Sequence, residues 1–292
     1  EAVVRLLRSV MQRLGSEQTQ TLGGEMKGCL ALMSRMGLVP KTVTSITDHL
    51  QALLSDPKHD GSVPDLLGRL RYNAAAARDR LSDDTWRLFN RIERDARLPA
   101  GPFHVSTAQG VLDTLILDLA AFSGMQQENM TRGHGWRFLE IGKRIERSCI
   151  ILDLVSTATE HCAQDDSLLN PLLEICDSTM TYRRLHFARP QLLPVLDLLL
   201  LNDINPRSVS HQFSILGRQS SQLPQDPTMD RGEGARQQSD ALRSDLAALN
   251  LSALSKAGDE IFVHVPAVCH SLSQGLEKFS DLITEHYFSH AN

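Results

Sequence analysis

Arg132-Gly133-His134-Gly135-Trp136-Arg137-Phe138-Leu139-Glu140-Ile141-Gly142-Lys143-Arg144-Ile145-Glu146-Arg147-Ser148 is the stretch whose reading decides the fold. At about 100° per residue it reads as one helix. Phe138, Ile141, Gly142, Ile145, Cys149 and Leu152 form an apolar arc, widened on one flank by Leu139 and Ile150. Arg137, Glu140, Arg144 and Arg147 lie opposite. Glu146 and Asp153 fall inside the arc, and carboxylates on the buried side of a core helix need partners, because an unpaired buried charge is too costly.

The surrounding chain has 292 residues, enough for one large domain or two small ones. Hydrophobic residues make up 41% and charged residues 22%, the balance of a globular chain. A formal net charge of −5, with three Tyr and two Trp, argues against nucleic acid as a partner. Five cysteines lie far apart with no C-x-x-C pair, which favours reduced thiols and a cytoplasmic location. Cys149 sits on the apolar arc, where packing is the expected role. The apolar run Leu192 to Leu201 is broken by Pro194 and Asp197 and is too short to span a bilayer, so no membrane is expected. The chain begins at Glu1 already in helical phase, which reads as a cut inside a longer protein.

The helical period recurs almost everywhere, and no strand alternation is convincing. Segments are expected to about Leu14, from Thr19 to Met36 (stopping at Gly37 with Pro40 beyond), from Thr42 to Leu54, and from Pro64 to Arg80. Ser82 should cap a helix carrying Trp86, Phe89 and Ile92, and Ser106 or Thr107 the next. After the opening helix, to about His161, come segments from Leu168 to Phe187, Pro190 to Leu201, and Asn205-Pro206 to Gly217; one more runs to Asn250 and a last one from about Ser252 to His286. Glycines and prolines are expected at helix ends. The reading is all-α: a single multi-helix array of roughly ten to twelve mostly antiparallel helices over 1–292, with a mobile loop at 219–234 as the one candidate boundary.

Spacing argues against most chemistry. No Glu-x-x-His pair suits a di-iron site, and Glu146 and Asp153 lie ~10 Å apart along the helix by its ~1.5 Å rise, so no metal is expected. No G-x-S-x-G elbow is present. Arg231-Gly232-Glu233-Gly234 and Arg132-Gly133-His134-Gly135 match no phosphate loop and read as turns into helices. Arginine is the natural partner for a carboxylate in a core. The expected pairing sets Arg71 or Arg78, and Arg183 or Arg184, against Glu146 and Asp153; a solvated basic face and an anion site are the alternatives.

Gly135 to Arg147 resembles the second "ER" motif of the Alpha-E family, a bacterial all-helical domain of unknown function. Asn73 with Ala77-Arg78-Asp79-Arg80-Leu81-Ser82 and Trp86, Tyr182-Arg183-Arg184, Leu198 to Leu201 with Asn205-Pro206-Arg207-Ser208-Val209, and the ending at Tyr287-Phe288 are similar too. The family's earlier ER motif has only its helix tail here. The resemblance implies association, fused or separate, with a circularly permuted ATP-grasp domain and a transglutaminase-like protease, hence with peptide or amide ligation. ATP and Mg would belong to that ATP-grasp domain, with no cofactor in this segment. The expected role is a non-catalytic accessory domain whose polar cluster comprises Glu146, Arg147, Arg144, Asp153, Glu140, Arg78, Asn73, Tyr182, Arg183, Arg184 and Arg207. A helical enzyme using Glu146 as general base, and a purely structural assembly module, are the alternatives.

Overall fold

The caps that the sequence supplies set where its periodic segments close into helices. A computed structural model describes residues 1–16, 23–39, 45–224, 233–256 and 258–288, and every regular element among them is helical. Contacts gather into two compact units, 1–131 and 132–292. The division falls at the turn before the opening helix, whereas the sequence favours one domain with a boundary, if any, at 219–234. Residues 225–232 of that loop, the starts of the Thr19 and Thr42 segments, Pro40 and the Arg231-Gly232 turn lie outside the described residues.

The first unit holds α1 (Ala2–Ser16), α2 (Gly24–Arg35), α3 (Ile46–Ser55), α4 (Val63–Ala76), α5 (Asp83–Asp95) and α6 (Val105–Asn129). The hydroxyls of Ser45, Ser62 and Ser82 accept from the amides of Asp48, Asp65 and Thr85, capping α3, α4 and α5. Gly37, at φ 71°, ends α2, and the Leu38 amide turns back to the Met33 carbonyl. Arg8 pairs with Asp113 while Gly15 nears Val105, so α1 and α6 run antiparallel. Phe89 meets Phe122 edge-on and Arg91 reaches Asp118, giving α5 and α6 the same relation. By length and composition α6 could cross a membrane; core helices of soluble proteins pass the same test.

In the second unit, α7 (His134–Cys162) packs against α11 (Val209–Ser220) and α14 (Ile261–Tyr287), and both of those pack against α12 (Glu233–Ala247). Arg137 reaches Gln219 and Arg144 reaches Gln212, steps of seven in opposite directions, so α7 and α11 are antiparallel and in register. Phe138 meets Tyr287 and Phe288 edge-on at one end of α14, and Cys149 feels the charge of Glu277 further along, so α14 also opposes α7. Gln238 donates to the Gly275 carbonyl while Gly234 nears Leu282, setting α12 against α14. The four helices close an antiparallel ring of the four-helix-bundle kind.

Short helices complete this unit: α8 (Leu169–Ile175), α9 (Thr179–His186), α10 (Leu192–Leu196) and α13 (Leu251–Lys256). They depart from the sequence reading in four places, the first being the Ser252–His286 segment, which splits at Gly258 (φ 68°) into α13 and the helix that follows it. The Leu168–Phe187 segment is broken at Asp177, whose φ of 52° no right-handed helix accepts. Asn205 and Pro206 form a loop, because Ser208 accepts from the His211 amide and starts α11 three residues later than expected. From α10 the chain widens to π geometry over Asp197–Leu201, where the Asn202 amide reaches back to the Asp197 carbonyl and three successive leucines are buried. Pro266 lies inside α14, and Gly142 and Gly275 lie inside helices.

The two glycines make opposite predictions. A methyl on Gly275 would stand 2.7 Å from Cδ2 of the buried Leu242, whereas one on Gly142 meets nothing within 4 Å. Gly275→Ala should lower stability by about 1–2 kcal/mol, overpacking outweighing helix propensity, while Gly142→Ala should raise it by about 0.5–1 kcal/mol. Urea unfolding of both variants measures the contrast.

Candidate functional site

The buried stripe of α7 is not the predicted arc. Glu140, Ile141, Arg144, Ser148, Ile151, Leu152, Val155, Ala158 and Cys162 are buried, centring the stripe on Arg144, about 100° around the helix from the apolar arc. Glu146 and Gly142 are exposed. Composition misleads because Glu140 and Arg144 are opposite charges four residues apart, so they neutralise each other and enter the core together.

Glu140 is 2% exposed. Arg144 donates to one of its carboxylate oxygens at 2.6 Å, and Lys143 pairs with the other at 2.5 Å. Burial pushes the carboxyl's pKa up, but hydrogen bonds and charge from Lys143 and Arg144 outweigh it and hold the pKa below the usual value. Arg144 also donates to Gln212 Oε1 at 3.0 Å, and Gln212, fully buried, donates through Nε2 to the carbonyls of Pro206 and Ser208. A carboxylate in α7 is thereby linked to the turn that opens α11.

That turn and α9 share a second network. Asn205, buried, donates to Ser178 Oγ and to the Leu198 carbonyl, while Asn202 Oδ1 accepts from the amides of Ile204 and Asn205. Arg207 pairs with Asp177 at 2.9 Å. Tyr182, 1% exposed, donates its hydroxyl hydrogen to the Arg189 carbonyl and accepts from the Gln191 amide. Glu140, Arg144, Tyr182 and Arg207 are thus tied into connected structural networks.

Glu146, Arg71, Arg78, Asn73, Arg183 and Arg184 lie outside these networks. Glu146 pairs with no cation among the described residues. Its proposed partners are engaged elsewhere or free: Arg71 pairs with Glu93, Arg78 pairs with Asp83 and lies over the Trp86 ring, and Arg183 and Arg184 are exposed with no carboxylate partner. Asn73 is exposed on α4. Arg147 and Asp153 are half-buried on α7. The Arg132-to-Gly135 turn leads into α7 with the Arg132 guanidinium over Trp136, 4.4 Å from the ring centre.

Gln212 and Lys143 escaped the sequence reading; the available signal was the i, i+4 spacing of Glu140 and Arg144. A second signal was the tetrapeptide Arg-Ile-Glu-Arg, which occurs at 91–94 as well as 144–147. In both copies the first arginine meets a buried carboxylate, Asp118 for Arg91 and Glu140 for Arg144. No group of three or more His, Cys, Asp or Glu that could hold a metal occurs among the described residues. All five cysteines are free thiols. Burial, followed by the charge of Asp153, pushes the Cys149 pKa up to about 11 and that of Cys269 up to about 12. Burial and Asp166 take Cys162 to about 12.

The fold and these networks define an all-helical domain with carboxylate–arginine pairs, Glu140–Arg144 and Asp118–Arg91, whose carboxylates lie in its core. The chain belongs to the Alpha-E family: the family model, described as a predicted alpha-helical domain with a conserved ER motif, matches residues 1–288. The uncharacterized proteins Rv2567 of Mycobacterium tuberculosis and Mb2597 of Mycobacterium bovis are each 29% identical over 197 residues. The matched segment is 65% of this chain and 22% of each relative, so the chain spans under a quarter of their length. No solved structure matches the chain.

Two predictions follow from the chemistry. The folded pKa of Glu140 lies below its unfolded value near ~4.3, so its stabilisation is present above about pH 4 and is lost as pH falls through the folded value. Glu140→Gln should cost about 3 kcal/mol at neutral pH, because it leaves Arg144 uncompensated, and the gap from the native protein should narrow in acid. Chemical denaturation across pH tests this. Thiol titration with a disulfide reagent at neutral pH should be slow in the native protein and release all five thiols on unfolding.

Proposed function

We propose that this chain is a non-catalytic helical accessory module of an ATP-grasp-linked peptide or amide ligation system, positioning the ligase or its acceptor. The observation that carries this reading is the commitment of the buried charges. Glu140 is held by Lys143 and Arg144, and Arg144 passes its remaining hydrogen bond to Gln212, so the network serves helix register. A general base needs a carboxylate tuned by burial near a reacting proton; Glu146 is exposed, and the depressed pKa of Glu140 weakens it as a base. An associated circularly permuted ATP-grasp domain, which the family resemblance implies, would supply the ligase, and the much greater length of the curated relatives fits a module within a larger apparatus. Catalysis, with ATP and Mg, would lie in the ATP-grasp partner, with a transglutaminase-like protease in the same system. Free thiols fit a reducing cytoplasm.

The test is ADP release by a circularly permuted ATP-grasp ligase from the same genome, combined with this chain and assayed against a panel of amine acceptors. The chain alone should release no ADP above buffer, and adding it to the ligase should raise turnover or lower the acceptor KM by at least about tenfold. Turnover by the chain alone, or a ligase indifferent to its presence, would overturn the reading.

A further inference from the structure

Asp177 and Phe187 are the only non-glycine residues with positive φ among the described residues, and they bracket the single short helix α9. Phe187, at φ 48° and ψ 21°, closes α9 by donating its amide to the Arg183 carbonyl, and its ring is 89% exposed. A bulky side chain in the left-handed region is strained, and such strain persists where the surroundings hold it, often at sites of function.

Around 100° per residue, Met180, Arg183, Arg184 and Phe187 share one face of α9, opposite the buried Tyr182. Met180 is 76% exposed, and Ile204, 86% exposed, stands beside the N-terminus of α9, where Asn205 bonds to Ser178. Arg183, Arg184 and Arg189 pair with no carboxylate among the described residues, and no Asp or Glu occurs from 178 to 196. A chain of net charge −5 therefore carries here a rigid face of unpaired guanidiniums among apolar side chains.

The geometry points to α9 as a docking face for an acidic polypeptide segment whose carboxylates alternate with apolar residues. Guanidiniums bind carboxylates bidentately, and Phe, Met and Arg are enriched in interface cores. Arg183 and Arg184 lie between Met180 and Phe187, so sinking those side chains into a bilayer would drag two charges with them. The net negative charge opposes both a second copy and a nucleic acid. This inference holds whether or not the partner is a ligase.

Panning a phage-displayed random peptide library on the native protein, with subtraction on Arg183→Glu/Arg184→Glu, tests it. Selected peptides should combine Asp or Glu with Leu, Ile or Phe, and bind the charge-reversed protein at least about tenfold more weakly. Phe187→Gly separates docking from folding. Glycine accepts the left-handed backbone, so the melting temperature should hold or rise while binding of the selected peptide falls. The inference is overturned if selected peptides lack acids, if they bind the charge-reversed protein equally, or if Phe187→Gly leaves binding unchanged. It is also overturned if the face instead captures phosphatidylglycerol vesicles or oligothymidylate, or drives self-association.

Discussion

A carboxylate placed in an apolar core must be neutralised where it stands, and in the second unit that burden falls on Glu140. Its partner is one turn along the same helix, so the pair forms as soon as α7 does and adds little ordering cost afterwards. Arg144 retains donors that only a fixed acceptor can satisfy, and Gln212 provides one. Because Gln212 also holds the carbonyls of Pro206 and Ser208, the position of α11 and the shape of its opening turn both depend on a charge pair in α7. Removing Glu140 alone would leave a buried guanidinium without its carboxylate, and removing Arg144 would leave the Gln212 amide oxygen without its donor.

Much of the architecture was legible. The 3.6-residue period, Ser82 before an acidic first turn and Gly37 after an apolar segment each encode local structure, and each acts as expected. The phase of α7 was not legible, because hydrophobicity assigns Glu140 and Arg144 to water and only a three-dimensional partner brings them in. The break at Asp177 was hidden for a related reason: the left-handed turn there is made by an aspartate, not by glycine or proline. At Asn205-Pro206 two start signals compete: the Asn205 side-chain oxygen accepts from the Arg207 amide in a turn while its Nδ2 donates to Ser178 and Leu198, and the Ser208 hydroxyl takes the cap.

The site was legible by motif more than by residue. Tyr182 and Asn205 were marked by resemblance, and both prove to be internal anchors that hold the α9 region. The exposed arginines beside them, expected to reach into the core, point outward without carboxylates. Buried polar residues shape this segment while exposed ones remain available, and a one-dimensional pattern does not distinguish the two.

The matched rungs Arg137–Gln219 and Arg144–Gln212 also constrain how this pair of helices can change length over evolution. One residue inserted between Arg137 and Arg144 would turn one rung about 100° from its partner and shift it ~1.5 Å along the axis. Deletions do the same in reverse. Only a change of about two full turns, made in both helices at once, would restore both contacts. Insertions and deletions among relatives should therefore avoid 137–144 and 212–219, even where individual side chains vary.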